Sequence, residues 1–403
     1  MNLQKLTLIG LIIGLSVIDI FGQTLSISDT SIIEPANGNS AMLKFTVKLN
    51  GTSDDPFSVD YKTSPGTATP SINKLLVSVD DGNVGIYEVD PINNTSNLLL
   101  TGYDAWGMAE DPSSTNHVFF NSGSELYDWT IGNAPILLGN MTFEMGASVA
   151  TGLAYYDNKL YSTKNIVNEA LYQIDLNTLE ATIVLDYTDS DFDFGGLAVD
   201  HQTGILYGTN DDTDANGRGV YAIDIVNNTI TLVTPYPPGE TDIDGLAYGN
   251  GKLYLIIDQP GSIYVYDIAN QTYETPLTSP FTSDEIFSGG AAFICNVMED
   301  YCDQRGSLFF EGFDGETKQV CISIFGDNIP EIDETFNVLL SNVQSEGEGE
   351  ITIADGTAIG TVISGAPIPS LSSWASIILA LMLVIVASVQ VFQRQSIKLE
   401  TSD

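Results

Sequence analysis

The sequence predicts an all-β protein with a five-bladed β-propeller in the middle of the chain. Three observations lead to this fold class. Residues 107–293 contain a repeat with a period of about 45 residues, which is typical of propeller blades. Each copy contains short β-branched and aromatic runs separated by Gly, Asn, Asp and Pro, as strands do. The last copy consists only of the strand that the first copy lacks.

The repeat is clearest from Gly196, where the chain reads GLAVDHQTGILYGTN, then a polar loop, then the run 219–224. Other copies begin at Gly107, Gly152 and Gly245. Each copy predicts four short strands, which is the content of one propeller blade. The small Gly-Leu-Ala strand is expected next to the propeller axis, where space is limited.

The ends of the repeat predict how the ring closes. The first unit, residues 74–90, has no Gly-Leu-Ala strand, and the run 289–293 is such a strand with no blade after it. We therefore expect 289–293 to complete the blade that begins at residue 74. This closure gives five blades and leaves no large open sheet edge.

Composition excludes some functions. The chain has 403 residues, a net charge of −40 and a pI near 4.1, so no nucleic acid is expected as a partner, because phosphate binding needs a basic face. Three cysteines suit an exported protein with one disulfide bond. A bond between Cys295 and Cys302 would clip the end of the propeller, but the pairing among these two and Cys321 stays open.

Both termini predict export and attachment. Residues 1–23 have the charge and the apolar run of a signal peptide. Residues 374–392 are uncharged and match the length of about 20 residues needed for a transmembrane helix. The basic residues Arg394 and Lys398 follow this segment and favour a cytoplasmic tail.

The two segments that flank the propeller, 24–70 and 296–364, alternate apolar and polar residues as half-buried strands do. Their motifs are Ile33-Glu34, Val59-Asp-Tyr61, Gly66-Thr-Ala68, Asp300-Tyr301, Gly306-Ser-Leu-Phe-Phe310 and the acidic loop from Gly326 to Phe336. In this order they resemble the two halves of one Calx-beta domain. The resemblance implies an immunoglobulin-like β-sandwich into which the propeller, residues 71–295, is inserted.

The Calx-beta resemblance also implies a cofactor, Ca²⁺. The candidate metal ligands carried over from the family are Glu34, Asp300, Asp327 and Glu331. Farther on, the stretch Ile368-Pro-Ser-Leu-Ser-Ser-Trp374 resembles an IPTL-type C-terminal sorting signal. That resemblance implies a bacterial surface protein that is anchored or sorted through residues 365–403, with a C-terminal sorting enzyme and the membrane as partners.

A second set of carboxylates belongs to the repeat. Asp104, Asp193 and Asp242 each stand three residues before the glycine of a predicted inner strand, which would bring them to one rim of the central channel. They could hold a metal ion or a sugar, or they could simply form turns. A metal site at this rim would be similar to that of gluconolactonase-like propellers, and this similarity implies a metal ion on the propeller axis. We expect His201 to lie in a solvated turn.

No serine elbow, HExxH motif or phosphate loop occurs in the sequence, so we expect a protein without enzymatic activity. The favoured function is an exported, calcium-binding protein on the cell surface or in the cell envelope. Its propeller would bind an extracellular protein or glycan in adhesion or in contacts with the matrix. The alternatives are an exported lactonase-like propeller hydrolase with a metal in the central channel, and a mainly structural envelope protein.

Overall fold

The computed structural model describes residues 23–71, 73–114, 116–144, 149–164, 169–187, 192–213, 216–257, 263–277, 287–295, 299–327, 331–345, 351–364 and 377–385. Almost all regular structure in these residues is β-strand, so the all-β prediction is confirmed. One short helix, α1, spans residues 377–385.

Strands from both flanks of the repeat form two sheets, which we call the two-sheet unit (23–71 and 299–364). Its strands are β1 (Thr24–Ile27), β2 (Thr30–Ile33), β3 (Ser40–Asn50), β4 (Phe57–Pro65), β5 (Pro70–Ser71), β27 (Tyr301–Cys302), β28 (Arg305–Phe310), β29 (Thr317–Phe325), β30 (Glu334–Ser345), β31 (Thr352–Asp355) and β32 (Thr357–Ile363). The strand orders are β31-β1-β3-β29-β27-β5 and β2-β32-β30-β4-β28. Each sheet therefore contains strands from both flanks.

The core of the two-sheet unit follows from the period-two pattern. In β3 the side chains of Phe45 and Val47 are buried, while Lys44 and Lys48 on either side of this pair are exposed. Phe45 meets the fully buried Phe336 of β30, with ring centroids 5.8 Å apart and an interplanar angle of 71°. The two sheets thus share one hydrophobic core that neither flank could close alone.

The repeat forms five sheets, which we call the five-sheet unit (73–295). Its strands are β6 (Asn73–Val79), β7 (Gly85–Asp90), β8 (Thr95–Thr101), β9 (Gly107–Glu110), β10 (His117–Ser122), β11 (Glu125–Thr130), β12 (Ile136–Asn140), β13 (Thr142–Phe143), β14 (Ala150–Tyr156), β15 (Lys159–Lys164), β16 (Ala170–Ile174), β17 (Glu180–Asp186), β18 (Phe194–Val199), β19 (Leu206–Asn210), β20 (Gly219–Asp224), β21 (Thr229–Pro235), β22 (Gly245–Gly249), β23 (Lys252–Ile256), β24 (Ile263–Asp267), β25 (Thr272–Tyr273) and β26 (Phe287–Cys295).

Four of the five sheets are built from four antiparallel strands that follow one another in the chain, and one of these four sheets also has β13 added in parallel to β17. The orders are β12-β11-β10-β9, β13-β17-β16-β15-β14, β18-β19-β20-β21, β22-β23-β24-β25 and β26-β6-β7-β8. In the last sheet, β26 from the end of the unit pairs with β6 from its beginning, Ala291 opposite Val77. This is the pairing that the incomplete first and last copies of the repeat predict.

Five inner strands, β9, β14, β18, β22 and β26, contact one another in a closed cycle. Glycines allow the close approach. A Cβ atom added to Gly152 would lie 2.6 Å from the backbone nitrogen of Leu197, and one added to Gly290 would lie 2.3 Å from the backbone oxygen of Ala105. A Cβ atom added to the other leading glycines would also lie close to the backbone of the next sheet: 2.8 Å from Leu153 for Gly107, 2.6 Å from Asp244 for Gly196 and 3.0 Å from Gly289 for Gly245. The leading glycine of each copy therefore sets the distance between neighbouring sheets.

A small cavity of about 30 Å³ lies between the inner strands. Each of the five strands contributes three consecutive residues to its lining: Met108–Glu110, Leu153–Tyr155, Leu197–Val199, Leu246–Tyr248 and Ala291–Phe293. The lining is mostly aliphatic, and the volume suits one or two water molecules rather than a ligand.

The two units are in contact at one end of this cavity. The side-chain amide of Gln202 donates to the carbonyl oxygen of Cys321 at 2.6 Å, and the backbone N–H of Cys321 donates to Gln202 Oε1 at 2.8 Å. Because β27 is short, Gln202 satisfies backbone groups that β29 would otherwise leave open at its edge. A disulfide bond between Cys295 and Cys302 also joins the units, and Cys321 has a free thiol.

The predicted transmembrane helix near the C-terminus is not supported. Among the described residues, no helix is long and apolar enough to cross a membrane. Helix α1 lies within the predicted span 374–392. Residues 374–376 and 386–392 lie outside the described part of the chain, as do the sorting motif 368–374 and all but the last residue of the predicted signal peptide 1–23.

Candidate metal centre

The four carboxylates that the sequence predicted as calcium ligands belong to loops at one end of the two-sheet unit. Glu34 follows β2, Asp300 precedes β27, and Asp327 and Glu331 belong to the loop between β29 and β30. The backbone N–H of Asp327 donates to Glu34 Oε1 at 3.1 Å. This contact holds the loop after β2 beside the loop after β29.

The tightest group in this region consists of Asp300, Glu331 and Glu334. One carboxylate oxygen from each lies within 4.8 Å of the others, and all three residues are half-buried. Glu334, the first residue of β30, was missed by the sequence prediction. The signal that could have found it is its place in the acidic loop motif, three residues after Glu331 on a segment that enters a strand.

Backbone hydrogen bonds from both flanks position Asp300. The N–H of Thr69 donates to Asp300 Oδ2 at 2.6 Å, and the N–H of Asp300 donates to the carbonyl oxygen of Thr69 at 3.0 Å. The N–H of Phe325 donates to the carbonyl oxygen of Asp300 at 2.9 Å. Thr69 precedes the five-sheet unit and Phe325 follows it, so this position of Asp300 requires residues from both flanks.

A glycine makes room for this arrangement. A Cβ atom added to Gly66 would lie 2.3 Å from the backbone oxygen of Thr335, which accepts the N–H of Ala68 at 2.9 Å. The Gly-Thr-Ala motif therefore runs directly against the start of β30. This contact brings Thr69, and through it Asp300, close to Glu334.

Mutual repulsion is visible in the acidities of the cluster. Burial raises the pKa of Glu331, and the charges of Asp300, Asp327 and Glu34 raise it further. Burial, then the hydrogen bond to Asp300 and its charge, raise the pKa of Glu334 to about 7. At neutral pH the cluster thus favours either a retained proton or a bound cation.

The residues present fit calcium. Ca²⁺ takes six to eight oxygen ligands and tolerates irregular geometry, and the carboxylates of Asp300, Glu331 and Glu334 could supply part of this set. The described cluster contains no histidine or cysteine, so its donors are all hard oxygens. Oxygen donors favour Ca²⁺ or Mg²⁺ over zinc, which prefers nitrogen and sulfur ligands.

The rim carboxylates of the five-sheet unit group differently from the prediction. Asp242 joins Asp211 and Asp244 within 4.8 Å, rather than Asp104 and Asp193. Asp193 lies near enough that Asp212 and Asp242, after burial, raise its pKa. The repeat spacing missed Asp211 because this residue follows the second strand of its sheet and does not precede an inner strand.

Asp104 has a structural contact of its own. Its Oδ2 atom accepts a hydrogen bond from the indole N–H of Trp106 at 3.0 Å, and Asp104 does not belong to the carboxylate group around Asp242. The predicted three-carboxylate rim site is therefore not assembled as a single group.

His201 lies in a turn, as expected, but it is not solvated. It is half-buried and lines the small cavity between the inner strands, where burial lowers its pKa to about 4. Glu110 lines the same cavity, and burial raises its pKa to about 8 while its carboxylate accepts the N–H of Cys295 at 3.3 Å. Both groups are neutral at pH 7, so this end of the cavity carries little charge.

No protein-family model matches this chain, and no curated protein matches it. Among solved structures, a chain of a nidogen–laminin complex is 12% identical over 59% of this chain and 99% of that chain, with a TM-score of 0.39. Apo AztD from Citrobacter koseri is 14% identical over 64% of this chain and 61% of its own, with a TM-score of 0.27. Hydrazine synthase from Kuenenia stuttgartiensis is 12% identical over 45% of this chain and 70% of its own, with a TM-score of 0.29. Likenesses this weak carry no functional argument.

Proposed function

We propose that this chain is an exported, calcium-binding protein that presents a ligand-binding five-bladed β-propeller on a Calx-beta-like sandwich. The observation that carries the proposal is the grouping of Asp300, Glu331 and Glu334 within 4.8 Å at one end of the two-sheet unit, with Glu34 and Asp327 near enough for their charges to raise the pKa of Glu331. Four of these residues come from the Calx-beta resemblance, and they are far apart in the sequence. Such a group of carboxylates costs repulsion unless a cation offsets it.

The propeller part of the proposal is supported by the closed cycle of glycine contacts and by the pairing of β26 with β6. Five sheets with inner strands around one narrow cavity match the blade arrangement that the repeat predicts. Because the cavity is small and mostly aliphatic, we place ligand binding outside it. The same property counts against a hydrolase with a metal on the axis.

Export and surface attachment come from the sequence alone. The apolar run within 1–23 and the sorting-like motif at 368–374 remain predictions, as does attachment through residues 365–403. In this proposal the five-sheet unit engages an extracellular partner in adhesion or matrix contacts. The calcium site stiffens the sandwich at the point where the chain returns from the propeller, because Asp300 stands just after it.

Calcium should raise the melting temperature of the purified full-length chain. Extracellular calcium modules have dissociation constants of roughly 10⁻⁴–10⁻³ M. Calcium at about tenfold excess over that value should add about 1.4 kcal/mol to the free energy of unfolding. The measurement is a thermal melt in EGTA, in CaCl₂ and in MgCl₂ of equal ionic strength, where Mg²⁺ should have a smaller effect because it keeps its water ligands.

A double variant tests whether the calcium-induced shift in melting temperature arises at this site or from general screening of the chain's negative charge. Glu331→Gln with Glu334→Gln should abolish the calcium shift and should melt above the parent chain in EGTA, because the repulsion is removed. The matched control is Asp242→Asn in the rim group, which should keep the full shift. If calcium leaves the midpoint of the parent unchanged, or if only Asp242→Asn removes the shift, the proposed site is wrong.

The cluster should also make stability depend on pH in the absence of calcium. The pKa of Glu334 is raised in the folded chain, so the folded state binds its proton more tightly than the unfolded state does. This contribution to stability is complete below pH 4.5 and is lost as the pH rises to about 7. In EGTA, the difference in midpoint between the parent and Glu334→Gln should therefore change across this interval. A constant difference would contradict the assigned environment of Glu334.

A further inference from the structure

A cleft runs between the two units on the side of β4 and β28. It consists of two cavities, of about 420 Å³ and about 500 Å³. Four residues line both cavities: Lys62, Asn250, Lys252 and Arg305. The two cavities therefore adjoin at these residues, and we call them together the interunit cleft. Its volume is in the range of cavities that hold small-molecule ligands.

The charges at the centre of the interunit cleft are unusual for this chain, which has 13 basic and 53 acidic residues. Lys62 and Arg305 occupy directly paired positions of the antiparallel strands β4 and β28, and both are exposed. Like charges at paired positions repel. Within the described part of the chain neither forms an ion pair, while the third cation, Lys252, contacts Glu274 at 2.5 Å.

Carboxylates also line the interunit cleft, but neighbouring groups already hydrogen-bond to them. Asp60 accepts from Ser307 and Asn342, Asp200 from Thr203, Asp267 from Asn270, Glu274 from Lys252 and Asp303 from Thr63. None of these six hydrogen bonds involves Lys62 or Arg305. An anionic group that enters between the units can therefore contact Lys62 and Arg305 without displacing any of these hydrogen bonds.

We propose that the interunit cleft binds an acidic oligosaccharide, with an anionic group of the sugar between Lys62 and Arg305. An anion at this place would offset the repulsion across β4 and β28 and gain charge-assisted hydrogen bonds. The remainder of the lining suits a chain of hydroxyl groups, because it offers the amide of Asn250 on one wall. On the other wall, the side chain of Phe309 is 53% exposed and presents an apolar face to a sugar ring.

The cavities extend to both sides of the cations, which suits a linear ligand longer than one sugar. The proposal rests on the ligand-binding part of the proposed function and is independent of the calcium site. A carboxylate or a sulfate on the sugar would meet the same two cations, so the shared requirement is an anionic saccharide. An acidic peptide along the edge strand β28 is the competing occupant that the experiment must separate.

The test is isothermal titration calorimetry of the full-length chain in EGTA, so that calcium cannot bridge carboxylates. The probes are tetragalacturonate, a sulfated tetrasaccharide, neutral cellotetraose and a tetraglutamate peptide. We expect one or both acidic sugars to bind and the neutral sugar and the peptide not to bind. Arg305→Gln and Lys62→Gln should each weaken binding at least about tenfold, the effect of losing one hydrogen bond to a charged group.

Lys48→Gln, a change at an exposed lysine of β3 outside the interunit cleft, should leave binding unchanged. Lys62→Gln should melt no lower than the parent, because one of two opposed like charges is removed, so its loss of binding would not reflect unfolding. Equal binding of the neutral sugar, stronger binding of the peptide, or parental affinity in both cleft variants would overturn the proposal. Because these titrations contain no calcium, their outcome does not depend on whether the calcium site exists.

Discussion

Phe336→Ala should lower the free energy of unfolding of the two-sheet unit by about 3–5 kcal/mol, the usual cost of removing a buried aromatic side chain. Phe336 is fully buried between residues from both flanks. Its ring stacks on Tyr301, with centroids 4.2 Å apart, and meets Phe45 edge to face. Truncation would leave a cavity where the flank before the five-sheet unit meets the flank after it.

The measurement is urea denaturation followed by circular dichroism, with calcium titrations of the same variant. Because Tyr301 is next to Asp300, the cavity should also weaken calcium binding. Phe313→Ala is the matched control, since Phe313 is 58% exposed and its loss should change stability by less than about 0.5 kcal/mol. An unchanged midpoint for Phe336→Ala would mean that the two flanks do not share a core.

The repeat made most of the five-sheet unit predictable. Leading glycines at a constant period mark positions where neighbouring backbones touch, and the missing strand of the first copy required the run 289–293 as its partner. These are local signals, repeated often enough to fix strand order. The repeat predicted the first and last residues of individual strands less accurately. Gln202 shows the limit, because a polar residue in a turn gives no sign that it will pair with the backbone of Cys321.

The candidate metal centre was predictable only through the family resemblance. Glu34 and Asp300 are separated by the whole five-sheet unit, and no periodicity relates them. Composition alone could not distinguish them from the other acidic residues of the chain. The interunit cleft was not predictable at all, since the opposition of Lys62 and Arg305 depends on the register between strands that the insertion separates.

Gly152→Ala should destabilise the five-sheet unit by about 2–3 kcal/mol, in the range of overpacked cores. The added Cβ atom would lie 2.6 Å from both the backbone nitrogen and the Cβ atom of Leu197, and 2.9 Å from the carbonyl carbon of Gly196. Backbone atoms in a paired strand cannot move aside as a flexible side chain can. Relief would require β14 and β18 to separate, and because the inner strands form a closed cycle, the strain would spread to the other contacts.

Tryptophan fluorescence can follow this change, because Trp129 is buried in the five-sheet unit. The urea midpoint should fall for Gly152→Ala, with a larger fall for Gly152→Val. The control is Gly356→Ala in the two-sheet unit, where the nearest atom to an added Cβ is the Cγ2 of Ile353 at 2.7 Å, a side-chain atom that can shift. Its cost should be smaller and should not appear in the Trp129 signal. If Gly152→Ala costs no more than Gly356→Ala, the inner strands do not hold one another at the distances that the ring requires.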